Sequence, residues 1–191
     1  MDAPKIRSFI AIDLPEEITE SFYKTAAALK KEIKNLQLVP CQNIHLTLKY
    51  LGYLPESSIK KIKNAVDKTA ADYGKFNMTF REIGVFPSFS CPRVIWISPG
   101  EGEKETEKLK EKLDKELSLL EIEKDEKEFK AHITIARLKE IKKRPYFEKI
   151  ITGINVQTAK NIQINSLHLY QSVLTRTGPV YTKLHSALFS D

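Results

Sequence analysis

The chain has 191 residues, 41% hydrophobic and 29% charged, which suits a globular protein with its own core and excludes a disordered or fibrous chain. Its formal charge of +6 suits an anionic partner, a nucleic acid or a phosphorylated small molecule. Two cysteines, Cys41 and Cys91, without C-x-x-C spacing argue against a disulfide framework or four-thiolate zinc site, and with no signal pattern or apolar run near ~18 residues the reading is cytoplasmic, with no membrane partner.

In chain order, residues 7–13 form a short apolar run expected as a buried strand. Pro15 then opens an expected helix to about 35, with Glu16 and Glu17 at its positive dipole end. A strand is expected at 44–50, followed after Gly52 and Pro55 by an amphipathic helix at 56–72 with Ile59, Ile62 and Val66 on one stripe. Two strands are expected at 76–85 and 93–98, separated by a turn-rich segment holding Phe86 and Phe89. The charged stretch 101–123, with Leu109, Leu113 and Leu117 in register, reads as a surface helix with a solvated charged face. A strand at 129–137, a basic stretch leading into a short helix, and strands at 163–174 and 180–188 complete the chain.

Two of these strands nearly repeat each other. One reads NIHLTLKYLG and the other KAHITIARLK, placing His45 and Thr47 against His132 and Thr134. Four histidines and twelve threonines in this length would yield roughly 0.25 His-x-Thr triplets by chance. Two occur, eighty-seven positions apart, close to half the length. A duplicated α+β architecture follows: two interleaved, pseudo-symmetric lobes, antiparallel sheets lining a central cleft and helices outside, in a single domain over 1–191.

Strand alternation puts His45, Thr47 and Lys49 on one face, and Lys130, His132 and Thr134 on another. Two residues along a strand is roughly 6.6 Å, so an imidazole and a hydroxyl can reach different oxygens of one phosphate. Two facing strands would set one imidazole to take a proton from water and the other to protonate the departing oxygen, while the threonines hold non-bridging oxygens. Such a reaction needs no metal and no cofactor, because the histidines move the protons.

HLTLKYLG and HITIAR resemble the two signature tetrapeptides of the two-histidine phosphoesterase superfamily. More narrowly, with RSFIAIDLP at the start and LYQSVLTRTGPVYTKL at the end, the chain resembles the RNA 2′,3′-cyclic phosphodiesterases, also called 2′-5′ RNA ligases. The resemblance implies a bilobal fold and hydrolysis of a terminal 2′,3′-cyclic phosphate to a 2′-phosphomonoester. It implies His45 as proton donor and His132 as proton acceptor, roles that the residues themselves leave interchangeable. Arg137 matches the arginine closing the second motif and is a weaker phosphate candidate, because strict alternation turns it away from His132 and its contact requires a bulge or the strand's end. The family's proline before the second histidine is Ala131 here, and its basic residue is Lys130.

Simpler readings stand beside these. Threonine is common in strands for its β-propensity, and only register with histidine promotes Thr47 and Thr134. Lys49 and Lys130 are the weaker phosphate candidates, and a solvated lysine is the commoner outcome. His168 and His185 lack the threonine and read as structural. A metal reading would combine Cys41, His45 and His132, which lack the closely spaced ligand pairs of a metal site. Lys139, Lys142, Lys143 and Arg144 either contact an RNA backbone or form a solvated surface. Phe86 and Phe89 suit core packing better than base stacking. The expected partners are RNA ends or nucleotides bearing a 2′,3′-cyclic phosphate, tRNA halves among them, acted on by a monomer. The alternatives are 2′-5′ joining of tRNA halves, the reverse reaction, and a non-catalytic module that holds a nucleotide or RNA end.

Overall fold

The computed structural model describes residues 4–138, 144–154, 156, 161–176 and 178–190. In order they form β1 (Lys5–Asp13), α1 (Glu16–Glu32), β2 (Leu36–Leu38), β3 (His45–Pro55), α2 (Ile59–Ala71), β4 (Phe76–Met78), β5 (Phe80–Phe86), β6 (Val94–Pro99), α3 (Glu103–Ser118), β7 (Ile133–Leu138), α4 (Arg144–Thr152), β8 (Ile162–Ile164), β9 (Ser166–Thr175) and β10 (Gly178–Leu188). The main sheet has the order β10-β9-β1-β3-β7-β6-β5, with β2 also beside β7. Its neighbours run antiparallel. The mixed α+β class expected from the repeat is the class observed.

The sheet divides into two four-stranded lobes, β10-β9-β1-β3 and β2-β7-β6-β5, joined by one residue pair, Leu46 opposite Ile133. Each His/Thr strand follows a strand–helix unit, β1–α1 before β3 and β6–α3 before β7. Helix α1 buries Ile18, Phe22, Ala26 and Leu29 at spacings of three and four, and packs on β2 and β7. Helix α2 buries Ile59, Ile62, Val66 and Ala70 against β9 and β10, and α3 lies along α2 through Leu109, Leu113 and Leu117.

Several boundaries depart from the sequence reading, and the strand expected at 129–137 begins only at Ile133, so His132 stands just before β7. The expected strand at 76–85 breaks at Thr79, because β4 leaves to pair with β8 in a separate ribbon. The expected strand at 163–174 breaks at Asn165 for the same reason. Alternation runs on through Thr79, from Phe76 and Met78 to Phe80, so period alone cannot show that change of partner, whereas at Asn165 it shifts phase, from Ile162 and Ile164 to Leu167 and Leu169. Strand β3 continues past its expected end at Tyr50, through Gly52 at φ +69°, a conformation that glycine adopts without strain. Lys139, Lys142 and Lys143 of the basic stretch lie outside the described residues, and Arg144 opens α4.

The charged stretch is only partly the solvated face expected of it. Lys110 and Asp114 of α3 are buried, and Lys110 Nζ donates to both Asp114 oxygens at 2.7 and 2.5 Å. Lys49 joins them from β3, 3.8 Å from Asp114 and 3.1 Å from Asp125, and donates to the Glu123 carbonyl at 2.7 Å. Lys110 also pairs with Asp125 at 3.0 Å. Two ammonium groups against two carboxylates leave no charge of this network unopposed, which is the condition for placing lysine in a core. Asp114→Asn removes the most buried carboxylate while both lysines stay inside. It should lower stability by about 3–5 kcal/mol in urea unfolding, and a loss within about 0.5 kcal/mol would show that the network is solvated.

Candidate active site

The pairing of Leu46 with Ile133 decides the geometry of both motifs. In antiparallel register the neighbours on either side then face each other, so His45 stands opposite Thr134 and Thr47 opposite His132. Continued in ideal register, that pairing sets the two histidines on a diagonal of about 7–8 Å, with a threonine at each remaining corner. A cleft of about 410 Å³ opens there, lined by His45, Thr47, His132, Thr134, Tyr50 and Arg137 among others. The diagonal leaves room for one tetrahedral anion between the imidazoles.

Irregularities in both strands then override simple alternation. In β3, Ala11 pairs with Thr47 but Ile10 with Lys49, so Leu48 is an extra residue. In β7, Trp96 pairs with Thr134 but Ile95 with Ala136, so Ile135 is extra. After each bulge the faces exchange. Arg137, which alternation turned away, lines the cleft with His132. Lys49, which alternation placed beside Thr47, is instead only 3% exposed and committed to Asp114 and Asp125. Its expected phosphate contact is corrected accordingly. Tyr50 takes the vacated cleft position and was missed. The signal was in the repeat itself, since Tyr50 stands five residues after His45 as Arg137 stands five after His132.

Both rings are held from behind by backbone two residues upstream. His132 Nδ1 lies 2.7 Å from the Lys130 carbonyl, which only accepts, so Nδ1 carries the proton and the neutral ring keeps its lone pair on Nε2. His45 has the equivalent backbone bond to Asn43, and its Nε2 lies 2.9 Å from Thr47 Oγ1. Phe9 stacks on His45 at 4.9 Å and Tyr181 meets it edge-on at 5.5 Å. Phe86 meets His132 edge-on at 4.9 Å and is itself stacked on Trp96 at 4.8 Å. Gly84 lies directly under the Trp96 ring, where any Cβ would collide with it.

Electrostatics separates the two imidazoles. Burial pushes His45 down to about 4, opposed by its bond to Asn43 and by the charge of Asp13, its pairing partner on β1. Burial also lowers His132, and there the nearby charges, Arg137 and Lys130, lower it further. Asp13 thus acts on His45 and Lys130 on His132, while the Arg137 charge lowers both rings. Lys130 is exposed at the edge of this region, its Nζ 4.8 Å over the Trp96 ring, so its charge faces the site.

The remaining candidates fall elsewhere. His168 is buried between Ser166 and Ser186, 3.0 and 2.9 Å away, and His185 lies 2.6 Å from Asp67. Phe89 packs at 6.2 Å from Phe147 of α4, whereas Phe86 supports His132. Ala131 is fully buried beside that histidine.

Two antiparallel lobes, each presenting one His-x-Thr strand to a shared cleft, are the architecture that the resemblance implied. Residues 16–175 match the family model of the 2′-5′ RNA ligase superfamily, and the chain belongs to that family. The RNA 2′,3′-cyclic phosphodiesterase of Thermotoga maritima is 33% identical over 184 residues, covering 96% of each chain. That of Methanocaldococcus jannaschii is 32% identical over 176 residues, 92% of this chain and 96% of its own. A crystal structure of a Thermus thermophilus protein superposes with a TM-score of 0.81 at 26% identity, covering 96% of this chain and 98% of that one. Escherichia coli LigT, solved with 3′-AMP, shares the fold with a TM-score of 0.77 at 24% identity, over 98% of this chain and 99% of its own.

The depressed His45 links the site to stability. The unfolded ring takes up a proton below pH 6.5 and the folded ring only near pH 4, so unfolding is favoured as pH falls through that window. The contribution is complete above pH 6.5 and should shrink by on the order of 2–3 kcal/mol toward pH 4. Urea titrations of the wild type and His45→Gln at about pH 7, above that window, and about pH 4.5, near its lower end, would read it, the variant losing less stability than the wild type.

Proposed function

We propose that the protein hydrolyses a terminal RNA 2′,3′-cyclic phosphate to a 2′-phosphomonoester by acid–base catalysis at His45 and His132. The diagonal placement of the two imidazoles across one cleft, set by the Leu46–Ile133 pair, is the observation that carries the reading. Relatives covering nearly the whole chain bear the matching name.

In this mechanism His132 Nε2 accepts a proton from water as the water oxygen bonds to phosphorus. The bond from phosphorus to the 3′ oxygen breaks, and His45 delivers a proton to that oxygen, leaving a 3′ hydroxyl and a 2′ phosphate. The fixed Nδ1 proton of His132 and its cationic neighbours favour the neutral base. Asp13 beside His45 offsets part of the depression that burial imposes on that ring. The arriving phosphate offsets more of it, so the acid is charged with substrate bound. Thr47, Thr134 and Arg137 hold the non-bridging oxygens, where charge grows in the transition state. Lys130 contributes at longer range. No step passes through a metal ion or a cofactor. The residues assigned to the reaction all lie within a single domain of two interleaved lobes, which acts as a monomer on RNA ends that include tRNA halves.

His45→Ala and His132→Ala should each lose on the order of 10²–10⁴ in kcat on a cyclic-phosphate-ended RNA, with unchanged circular dichroism and with EDTA present throughout. Near wild-type turnover by either variant would overturn the mechanism. Binding without product by the wild type would support the holding module instead, and accumulation of joined 2′-5′ product would support the ligase.

The pH profile tests the assignment separately. Because kcat/KM reports the free protein, both limbs should lie below pH 6.5, where burial has moved the two rings. The limbs of kcat should lie at higher pH, since bound phosphate stabilises imidazolium. Limbs of kcat/KM above about pH 7 would contradict this.

A further inference from the structure

The cleft face of the first lobe does not end at the candidate site. Two bulges in β3, at Leu48 and Leu51, carry Tyr50 and then Tyr53 onto the side that holds His45 and Thr47. Tyr50 pairs with Phe9 and Tyr53 with Arg7, successive cleft-side positions of β1 spaced roughly 6.6 Å apart. Helix α2 covers the opposite face of this lobe, so these side chains meet solvent, Tyr50 at 49% exposure and Tyr53 at 64%. Between them Arg7 is held in place, its guanidinium donating to Ser172 Oγ at 2.6 Å and lying 5.8 Å over the Tyr50 ring. Lys5 continues the same row and is exposed. Two outward aromatic rings flanking a preset guanidinium, with a further cation beyond, are the elements of a single-strand track: flat faces for bases and fixed charges for phosphates.

Resting on the phosphodiesterase reading, we propose that this face of β1 and β3 binds the nucleotides 5′ of the cyclic phosphate, with Tyr53 as a base-stacking platform and Arg7 and Lys5 as phosphate partners. The occupant is single-stranded RNA because the track is continuous with a cleft built for a phosphate at an RNA end, and because its fixed charges are positive. A mononucleotide would occupy the cleft and never reach Tyr53. The substrate class is therefore an oligonucleotide, and the preference for it over a cyclic mononucleotide resides in KM.

The test compares 2′,3′-cyclic AMP with a single-stranded decanucleotide ending in a 2′,3′-cyclic phosphate. Tyr53→Ala should raise KM for the decanucleotide about 5- to 100-fold, leave cyclic AMP turnover unchanged, and be rescued by Tyr53→Phe, which keeps the ring. Equal kinetics of Tyr53→Ala and wild type on the decanucleotide would overturn the proposal. Fluorescence anisotropy with a labelled decanucleotide ending in a 2′-phosphate reads the track independently of chemistry. If the wild type turns over neither substrate yet binds this probe more tightly than Tyr53→Ala, the track stands and the hydrolytic reading falls. If Tyr53→Ala alters sedimentation while probe affinity is unchanged, the face joins two copies of the chain and the proposal falls.

Discussion

One backbone pairing, Leu46 to Ile133, governs the candidate site. Among the described residues it is the sole register point between the two lobes, and from it the facing of His45 with Thr134 and of Thr47 with His132 follows without further adjustment. A slip of one residue would turn one pair of side chains into the core and bring leucine or isoleucine to the cleft. Leu46 and Ile133 are both fully buried, so the hydrophobic faces of the two strands resist that slip. The chemistry of the cleft is thus held by apolar burial on its far side.

The bulges at Leu48 and Ile135 are the second constraint, and they work as a matched pair. Each adds one residue after the His-x-Thr triplet and exchanges the faces beyond it. In β7 the exchange delivers Arg137 to the cleft. In β3 it delivers Tyr50 and sends Lys49 inward, where Asp114 and Asp125 neutralise it. The same lysine then ties β3 to α3 and to the segment that follows it, which ends at Lys130 and His132. Buried ion pairs are weak sources of net stability but exacting ones of geometry, and this network joins the two motifs behind the cleft.

Between the two rings the asymmetry is electrostatic. Both sit in aromatic surroundings and both are bound at the back by backbone two residues upstream, so their packing is nearly equivalent. Asp13 beside His45 and Lys130 beside His132 make them unequal, while Arg137 lowers both. A duplicated architecture supplies two like groups, and neighbouring charges give them unlike tendencies.

The repeated His-x-Thr triplet, its two aliphatic flanks and its half-length spacing were legible in the sequence, because a strand's two-residue period writes burial directly into residue order. They settled which four side chains belong together, the α+β class and most of the helices. The inward turn of Lys49 and the cleftward turn of Arg137 were not legible, since a bulge changes parity without changing composition. Tyr50 was signalled only by its place in the repeat, and β2 is too short to show a period. The break at Thr79 was hidden because alternation runs through it, whereas the break at Asn165 is marked by a shift of phase from Ile162 and Ile164 to Leu167 and Leu169. Local periodicity is a property of neighbouring residues, and so the sequence determined the elements. Register, bulges and the charges around each imidazole depend on segments distant in the chain, and only the tertiary structure decided those.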